Sequence, residues 1–326
     1  MNHASAVEPS PALPQGGRRP LGLVVVACSL VLLVAACGDS DRTGAGGDGA
    51  TGNGDGVIEA TEGFVPVVDG EEKLGCGAFG FRPGDKEFRD AFNEELNNLQ
   101  QEGGIFPLVE EFGFTRADVN AAKDVTVSDL APNAIEGEGG GGLLEELRDA
   151  GRIIIGFANE RPYGFEGPDG EPDGGAPAVA RAVLEELGIT EVDGVVVEFG
   201  ALINGLNADQ FDMIAAGMFI NDERAQQILF SDPDYCASTA LAVEAGNPLG
   251  LSDFASIVKT GEATLGVLSG AVEEGYATGV GIPDERIQRF DNTANLFDAL
   301  VAGRVDAVAL TSITVGEQVE LINEQS

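Results

Sequence analysis

The chain has no tryptophan and only one histidine, His3, among its 326 residues. His3 precedes a segment that we expect to be removed, so the mature protein would contain no imidazole. This absence excludes Ser/His and Cys/His catalysis and histidine metal sites. Only carboxylates, lysine, tyrosine and hydroxyls remain for catalysis, which makes an enzyme less favoured than a binding protein. We expect no metal and no cofactor.

Basic residues are also scarce, with 18 Lys and Arg against 55 Asp and Glu and a net charge of -37. Phosphate binding requires clustered Lys and Arg, so nucleic acid and an anionic membrane face are excluded as partners. The acidic surplus indicates a solvated surface. A hydrophobic content of 43% over 326 residues is enough for two domains, each with its own core.

A short hydrophobic run lies near the N-terminus. Arg18 and Arg19 precede residues 21–36, which are fewer than the ~20 that a bilayer span needs. A basic start, a short apolar run and small residues before Cys37 predict a secretory signal peptide over residues 1–36. Cys37 resembles the lipidated cysteine of bacterial lipoproteins, which implies an anchor on the outer face of the cell membrane. An uncleaved membrane anchor is the alternative. Residues 37–56 are rich in Gly and Asp and predict a flexible tether.

Four cysteines are present, and two of them belong to this N-terminal region. Cys28 lies inside the predicted signal peptide and Cys37 would carry lipid. In an oxidising compartment the remaining pair, Cys76 and Cys236, is expected to form a disulfide. Two buried free thiols are the alternative.

Alternating strands and helices fill most of the chain after residue 143. The segment RIIIGFANERPY (152–163) predicts a buried strand that ends at Gly156, followed by a turn that Pro162 fixes and that presents Glu160 and Tyr163. Alternation continues to residue 322 in two sets and predicts α/β domains with parallel sheets and a cleft between them. Ligands of such sheets bind at strand ends, so this turn is predicted to form one wall of a small-molecule site.

Several segments resemble the solute-binding proteins of ABC importers, family 3, the polar amino acid type: IIIGFANERPYGFEGPDG, EFGALINGLNADQFDMIAAGMFINDERAQQILFSDPDYC, GVLSGAVEEGYA and ALVAGRVDAVAL. The resemblance covers residues 143–322. It implies a two-domain periplasmic-binding-protein-like (type II) fold with a hinge and an interdomain cleft. It also implies a monomer that delivers its solute to an ABC permease without chemistry. Within the family the motifs are most similar to members that bind ectoine or hydroxyectoine.

The order of the segments differs from that of the family. Residues 74–114 resemble a segment that comes last in the family, and the Gly-rich residues 136–142 join it to the usual start. The chain therefore resembles a circular permutant, in which exposed ends and a flexible joint preserve the fold. The larger domain would be residues 76–241, and the smaller one residues 57–75 plus 242–326. Cys76 and Cys236 would lie on neighbouring strands between the domains.

The resemblance also implies a ligand site for a small zwitterion: ectoine, hydroxyectoine or an amino acid. Aromatic faces and an acid suit a delocalised cation, and an arginine suits a carboxylate. The matching residues are Glu160, Tyr163, Phe199, Phe219 and Arg224, with Glu273 from the opposite domain and Asp306 at the position matched to an acid for an α-amino group.

Plainer roles remain open for these residues. Phe199 and Phe219 could be core residues, and Arg224 could pair with Asp222 or Glu223 on a solvated helix. A dehydratase-type enzyme that uses Glu160 or Glu273 as acid or base is an alternative function, and a sensory domain is another.

Overall fold

The computed structural model describes residues 56–326. The predicted signal peptide, the predicted lipid attachment at Cys37 and nearly all of the predicted tether lie outside the described residues. None of the helices between residues 56 and 326 has both the length and the hydrophobicity that crossing a bilayer requires.

The strands of residues 56–326 form two larger sheets and two short hairpins. In chain order they are β1 (Ile58–Ala60), β2 (Val67–Val68), β3 (Glu71–Glu72), β4 (Gly75–Phe81), β5 (Arg152–Phe157), β6 (Phe165–Glu166), β7 (Pro172–Asp173), β8 (Glu191–Val196), β9 (Met213–Phe219), β10 (Leu229–Phe230), β11 (Tyr235–Ala237), β12 (Thr239–Glu244), β13 (Leu265–Leu268), β14 (Ile287–Phe290) and β15 (Ala307–Thr311).

The helices of the same residues are α1 (Lys86–Gln101), α2 (Ile105–Val109), α3 (Arg116–Ala122), α4 (Val127–Leu130), α5 (Leu143–Ala150), α6 (Gly175–Glu186), α7 (Leu202–Asn207), α8 (Asp222–Ala225), α9 (Phe254–Thr260), α10 (Val272–Gly279), α11 (Thr293–Val301) and α12 (Ser312–Glu324). The four-residue spacing of Phe88, Phe92 and Leu96 predicts an amphipathic helix over residues 85–101. Helix α1 confirms it, and these three side chains are buried.

One sheet has six strands in the order β10-β4-β9-β5-β8, with β11 also paired to β4. Strand β5 pairs in parallel with β8 and β9, as the alternating pattern predicts. Strand β4 runs antiparallel to β9, β10 and β11, so the expectation of a parallel sheet was wrong. The reason is that β4 comes from the segment before the alternating region and enters the sheet in the opposite direction. All seven residues of β4 are buried.

The second sheet has five strands in the order β1-β12-β15-β13-β14. Its β13 is parallel to β14 and β15, whereas β1 and β12 add an antiparallel edge. Helix α12 packs on β1, β12 and β15, and α11 packs on β12 to β15. Mixed sheets covered by helices confirm an α/β, periplasmic-binding-protein-like fold.

The chain passes between the sheets at two places. It leaves the five-stranded sheet before Gly75, at the start of β4, and returns to it after Ala237, at the end of β11. We call residues 75–237 the six-stranded lobe, and residues 56–74 with 239–326 the five-stranded lobe. The domain boundary expected after residue 241 falls inside β12, because the change of sheet occurs at Ser238.

The expected disulfide joins these two passages. Cys76 in β4 lies opposite Cys236 in the antiparallel β11, and their sulfur atoms are bonded. The bond closes a separation of 160 residues within the six-stranded lobe. In the chain-entropy model a loop of this length contributes about 5 kcal/mol to the free energy of unfolding.

The ends of the described chain meet on the five-stranded lobe. The side chain of Asn323, in α12, accepts hydrogen bonds from the backbone N–H groups of Val57 (2.9 Å) and Ile58 (3.3 Å), and it donates one to the carbonyl of Ile58 at 2.9 Å. The Gly-rich connection between α4 and α5 contains no helix or strand. The backbone of Glu138 bonds to Pro83 and Lys86, which holds this connection against the six-stranded lobe.

Candidate ligand-binding site

A small pocket of about 20 Å³ lies where the two lobes meet. Six of the seven predicted ligand residues line it: Glu160, Tyr163, Phe199, Phe219, Arg224 and Glu273. The five-stranded lobe adds Ala271, Val272, Leu310 and Thr311, and β9 adds Gly217. The structure therefore brings together residues that are spread over more than a hundred positions of the sequence.

Aromatic rings of the six-stranded lobe form one wall. Tyr163 follows β5 and stacks on Tyr235 of β11, with ring centroids 5.2 Å apart and an interplanar angle of 21°. Phe219, at the end of β9, lies 6.1 Å from Tyr235, and Phe114 packs edge-on against both tyrosines. Strand β8 ends at Val196, and Phe199 begins a single 3₁₀ turn after it. The rings share one cluster and do not disperse into separate cores.

Arg224 is 7% exposed and bridges the lobes. Its backbone N–H is capped by the side chain of Asn221, which places it at the start of α8. Its guanidinium donates to the carbonyl of Phe219 at 2.6 Å and to the carbonyl of Gly270, across the cleft, at 2.8 Å. The guanidinium carbon also lies 5.4 Å from the ring centroid of Phe199. A guanidinium has five N–H donors, so these two bonds leave three for a carboxylate.

Within residues 56–326, Arg224 is buried and does not take its alternative role as an ion-pair partner on a solvated helix. Asp222 instead accepts hydrogen bonds from the backbone and side chain of Asn133. Burial lowers the pKa of Arg224, and the carboxylate of Glu273 opposes this effect. The guanidinium is therefore a buried cation held by carbonyl groups and by the field of a nearby acid.

Two carboxyl groups, one from each lobe, are buried in the same pocket. Glu160 is 5% exposed and accepts a hydrogen bond from the hydroxyl of Thr314 at 3.2 Å. Glu273, near the start of α10, is 2% exposed, and its Oε1 has no hydrogen-bond partner among residues 56–326. An unpaired buried oxygen of this kind is costly unless a ligand satisfies it.

Burial also changes the ionisation of both acids. It raises the pKa of Glu160 to about 8, and the charge of Glu273 raises it further, while the Thr314 hydroxyl opposes the shift. Burial raises the pKa of Glu273 to about 7, against the effect of backbone hydrogen bonding and of Arg224. Glu273 thus links the other two groups, because it interacts with both Glu160 and Arg224.

A chain of hydroxyl groups crosses between the lobes beside the pocket. Tyr163 Oη donates to Thr311 Oγ1 at 2.7 Å, Thr311 donates to Thr314 at 3.2 Å, and Thr314 donates to Glu160. Burial raises the pKa of Tyr163, so its hydroxyl stays protonated and acts as a donor. Together with the bond from Arg224 to Gly270, this chain holds the lobes in a closed arrangement.

The profile of the bacterial extracellular solute-binding proteins, family 3, matches residues 153–280. A crystal structure of EhuB in complex with hydroxyectoine aligns with a TM-score of 0.53 and 35% identity, over 56% of this chain and 71% of that one. The chain belongs to family 3.

Two further relatives fit this family. A probable amino-acid ABC transporter periplasmic-binding protein, y4tE of Sinorhizobium fredii, is 36% identical over 53% of this chain and 58% of its own length. The family 3 chain thus spans less than two thirds of that curated relative. The ancestral amino acid-binding protein AncCDT-1, described as a precursor of cyclohexadienyl dehydratase, aligns with a TM-score of 0.50 and 26% identity, over 55% of this chain and 78% of that one. Both of these relatives are described as binding proteins.

Asp306 does not line the pocket of this family 3 protein, so the pocket does not support its prediction as a ligand residue. It precedes β15, and its carboxylate accepts hydrogen bonds from the backbone (2.7 Å) and hydroxyl (2.8 Å) of Thr264. Four positions of the strand separate Asp306 from Leu310, the first residue of β15 that lines the pocket, or roughly 13 Å at ~3.3 Å per residue. The residues of this strand that line the pocket are Leu310 and Thr311, at its carboxyl end.

Thr311 and Tyr235 are among the residues near the pocket that were not predicted from the sequence. Thr311 is the last residue of β15, so the strand-end rule could have found it. Tyr235 precedes Cys236, and only the pairing of β11 with β4 brings its ring to Tyr163. Residues 56–326 contain no group of three or more His, Cys, Asp or Glu side chains arranged to hold a metal ion.

A larger groove of about 1250 Å³ adjoins the pocket and shares Phe199, Arg224, Ala271 and Val272 with it. The β2–β3 hairpin forms one side of this groove, and α10 forms another. The shared residues place Arg224 between the groove and the two buried acids.

Proposed function

We propose that the protein is the extracytoplasmic solute-binding component of an ABC importer and that it captures ectoine or hydroxyectoine. The observation that carries this proposal is one buried pocket in which aromatic rings, two carboxyl groups and a guanidinium meet between two lobes. The 35% identical relative crystallised with hydroxyectoine supports the choice of solute.

The chemistry of ectoine fits each wall of this pocket. Its delocalised amidinium would lie against the rings of Tyr163 and Phe219 and would donate to Glu160 and to the unpaired Oε1 of Glu273. Its carboxylate would accept from the unused N–H groups of Arg224. The solute would thereby satisfy the buried polar atoms that the protein leaves without partners.

Capture would proceed by hinge motion without a chemical step. The pocket of about 20 Å³ has room for roughly one water molecule, so a solute enters only when the lobes separate. Closing the lobes around the solute would bring Tyr163 and Arg224 back to their partners on the five-stranded lobe, with the pocket widened to hold the solute. The closed form would then dock on a membrane permease.

A polar amino acid is the alternative solute, and the amino-acid transporter relative supports it. Two acids against one guanidinium would also balance a ligand that carries one additional positive charge, such as arginine. Isothermal titration calorimetry of the purified protein with ectoine, hydroxyectoine, arginine and glutamine separates these solutes. Binding heat with arginine or glutamine, and none with ectoine or hydroxyectoine, would refute the ectoine assignment. No binding heat with any of the four solutes would refute the site.

We also propose that the chain is a circular permutant whose larger domain is the six-stranded lobe and whose smaller domain is the five-stranded lobe. The meeting of Asn323 with Val57 and Ile58 supports this, because the chain ends are adjacent and a short link could join them. A reordered chain, with Ser326 linked to Val57 and new ends within residues 136–142, should fold and bind the same solute. The same link with new ends inside β5 is the control and should not fold. A reordered chain that fails to fold with ends at 136–142 contradicts the proposal.

Anchoring through Cys37 is the remaining part of the proposed function. Cys37→Ala should move the protein from the membrane fraction to the soluble fraction and should abolish incorporation of labelled fatty acid. Cys28→Ala, inside the predicted signal peptide, is the matched control and should leave both unchanged. Equal lipid labelling of the Cys37→Ala protein and the parent would contradict the anchor.

A further inference from the structure

Three glycines lie directly behind the aromatic wall. A methyl group built on Gly75 would lie 1.8 Å from Cε2 of the Phe219 ring, and one on Gly77 would lie 2.2 Å from Cε1 of the Tyr235 ring. A methyl group on Gly217 would lie 2.6 Å from the ring of Tyr163. Real Cβ contacts are never this short, so each ring occupies space that only a missing side chain provides.

Strand pairing explains why the glycines and rings coincide. Gly75 and Gly77 are alternate residues of β4 and point to the same face of the sheet, and Gly77 lies opposite Phe219 in the antiparallel pair with β9. Tyr235 lies opposite Gly77 on the other side of β4. The rings therefore lie against backbone that carries no side chain, and this backbone is tied to β11 by the disulfide of Cys76.

We propose that Gly75 and Gly77 are positioning residues that set the shape of the solute pocket by letting the rings of Phe219 and Tyr235 lie against β4. The proposal rests on the proposed function for its ligand, and no contact between these glycines and solute is required. A methyl group at position 75 would push the Phe219 ring toward a pocket of only about 20 Å³. A methyl group at position 77 would push Tyr235 against Tyr163, on which it stacks.

The first test measures solute affinity by calorimetry. Gly75→Ala should weaken ectoine binding by about 5- to 100-fold, the range expected when one methyl group overpacks a rigid site. Gly84→Ala is the matched control, because a methyl group there would meet nothing within 4 Å. Its affinity should equal that of the parent protein. Parent-like affinity of Gly75→Ala would overturn the proposal.

A double-mutant cycle separates positioning from general damage. In a Phe219→Ala background the ring is gone, so adding Gly75→Ala should change Kd by less than about twofold. Equal losses in both backgrounds would overturn the proposal. If Gly75→Ala alone fails to fold, the double variant should fold because the clash is removed, and failure of both would also overturn it.

A second readout needs no solute. The chain has no tryptophan and three tyrosines, two of which form the stacked pair. The near-ultraviolet circular dichroism therefore comes from the tyrosines, the phenylalanines and the disulfide, and the stacked pair of Tyr163 and Tyr235 contributes to it. Gly77→Ala should change the tyrosine part of this spectrum, whereas Gly84→Ala should not. An unchanged spectrum for Gly77→Ala would overturn the positioning role. A parent protein that binds none of the tested solutes would refute the proposed function, and the dichroism would still decide this inference.

Discussion

The two lobes contribute different chemistry to the pocket. The six-stranded lobe supplies the rings of Tyr163, Phe199 and Phe219 and the only guanidinium, whereas the five-stranded lobe supplies Glu273 and hydroxyl groups. The three rings and the guanidinium of the six-stranded lobe can hold a flat cation and a carboxylate at the same time. The five-stranded lobe supplies one carboxyl group, that of Glu273, with hydroxyl groups near it. We infer that the six-stranded lobe selects the solute and that the five-stranded lobe completes its hydrogen bonds on closure.

The lobes also differ in charge within the pocket. The six-stranded lobe brings one acid and one cation, while the five-stranded lobe brings one acid without a cation. Closing the lobes without solute therefore buries two carboxyl groups beside one guanidinium, and burial together with Glu273 raises the pKa of Glu160 to about 8. A buried acid in this position either takes up a proton or requires a cationic ligand.

Removing Arg224 should weaken solute binding more than any of the other substitutions, because the six-stranded lobe then loses its guanidinium. Arg224→Ala takes away the carboxylate donor and leaves Glu273 without its opposing charge, so the free energy of solute binding should weaken by about 3 to 5 kcal/mol. Calorimetry should show a rise in Kd of more than about 100-fold. Arg304→Ala, on an exposed loop of the five-stranded lobe, is the control and should bind like the parent. Affinity of Arg224→Ala within about threefold of the parent would place the carboxylate site elsewhere.

The buried acids predict a pH dependence of stability in the protein without solute. The pKa of Glu160 is about 8 in the folded state and near 4.5 when unfolded, so the folded state binds more protons between these values. The free energy of unfolding should therefore fall as pH rises from about 5 to about 8, by on the order of 2 to 4 kcal/mol at ~1.4 kcal/mol per pKa unit.

Chemical denaturation at several pH values checks this, with Glu160→Gln expected to flatten the dependence and the exposed Glu166→Gln expected to keep it. Addition of ectoine should also reduce the decrease in the free energy of unfolding with pH, because a bound cation favours the ionised carboxylate of Glu160. Parallel pH profiles for the parent and Glu160→Gln would show that Glu160 does not carry the effect.

Truncating Phe219 tests the contribution of the aromatic wall on its own. Phe219→Ala should weaken binding by about 1 to 3 kcal/mol, because a cation–π contact and packing are both lost. Phe106→Ala, which removes a half-buried ring outside the pocket, serves as the matched control and should leave Kd unchanged. If both variants bound equally well, the rings would be core residues and the six-stranded lobe would not select the solute.

Local patterns predicted the parts of this molecule that depend on local sequence. The amphipathic period of α1, the strand before Gly156 and the turn that presents Glu160 and Tyr163 all follow from neighbouring residues. The direction of β4 does not, because strand direction depends on how distant segments enter a sheet. The same reasoning explains Asp306: its motif is recognisable, but strand length determines which end of β15 meets the pocket.

Tyr235 shows the limit of prediction from sequence most clearly. Nothing in the segment around Cys236 identifies a ligand wall, since the ring reaches Tyr163 only through the pairing of β11 with β4. The glycines of β4 were likewise unremarkable until their neighbours were known. Residues that act through other side chains have no pattern of their own, and only contacts identify them.

The smallest expected effect concerns the hydroxyl contact between the lobes. Tyr163→Phe keeps the ring of the six-stranded lobe and removes its hydrogen bond to Thr311, which should weaken solute binding by about 0.5 to 1.5 kcal/mol through a less stable closed form. Thr311→Val removes the other partner, and the two substitutions together should cost less than the sum of the single effects. Stopped-flow measurement should place the loss in faster solute release, because closure retains the solute. Strictly additive costs, or an unchanged release rate, would mean that this bond does not hold the lobes together and that Glu273 alone completes the site.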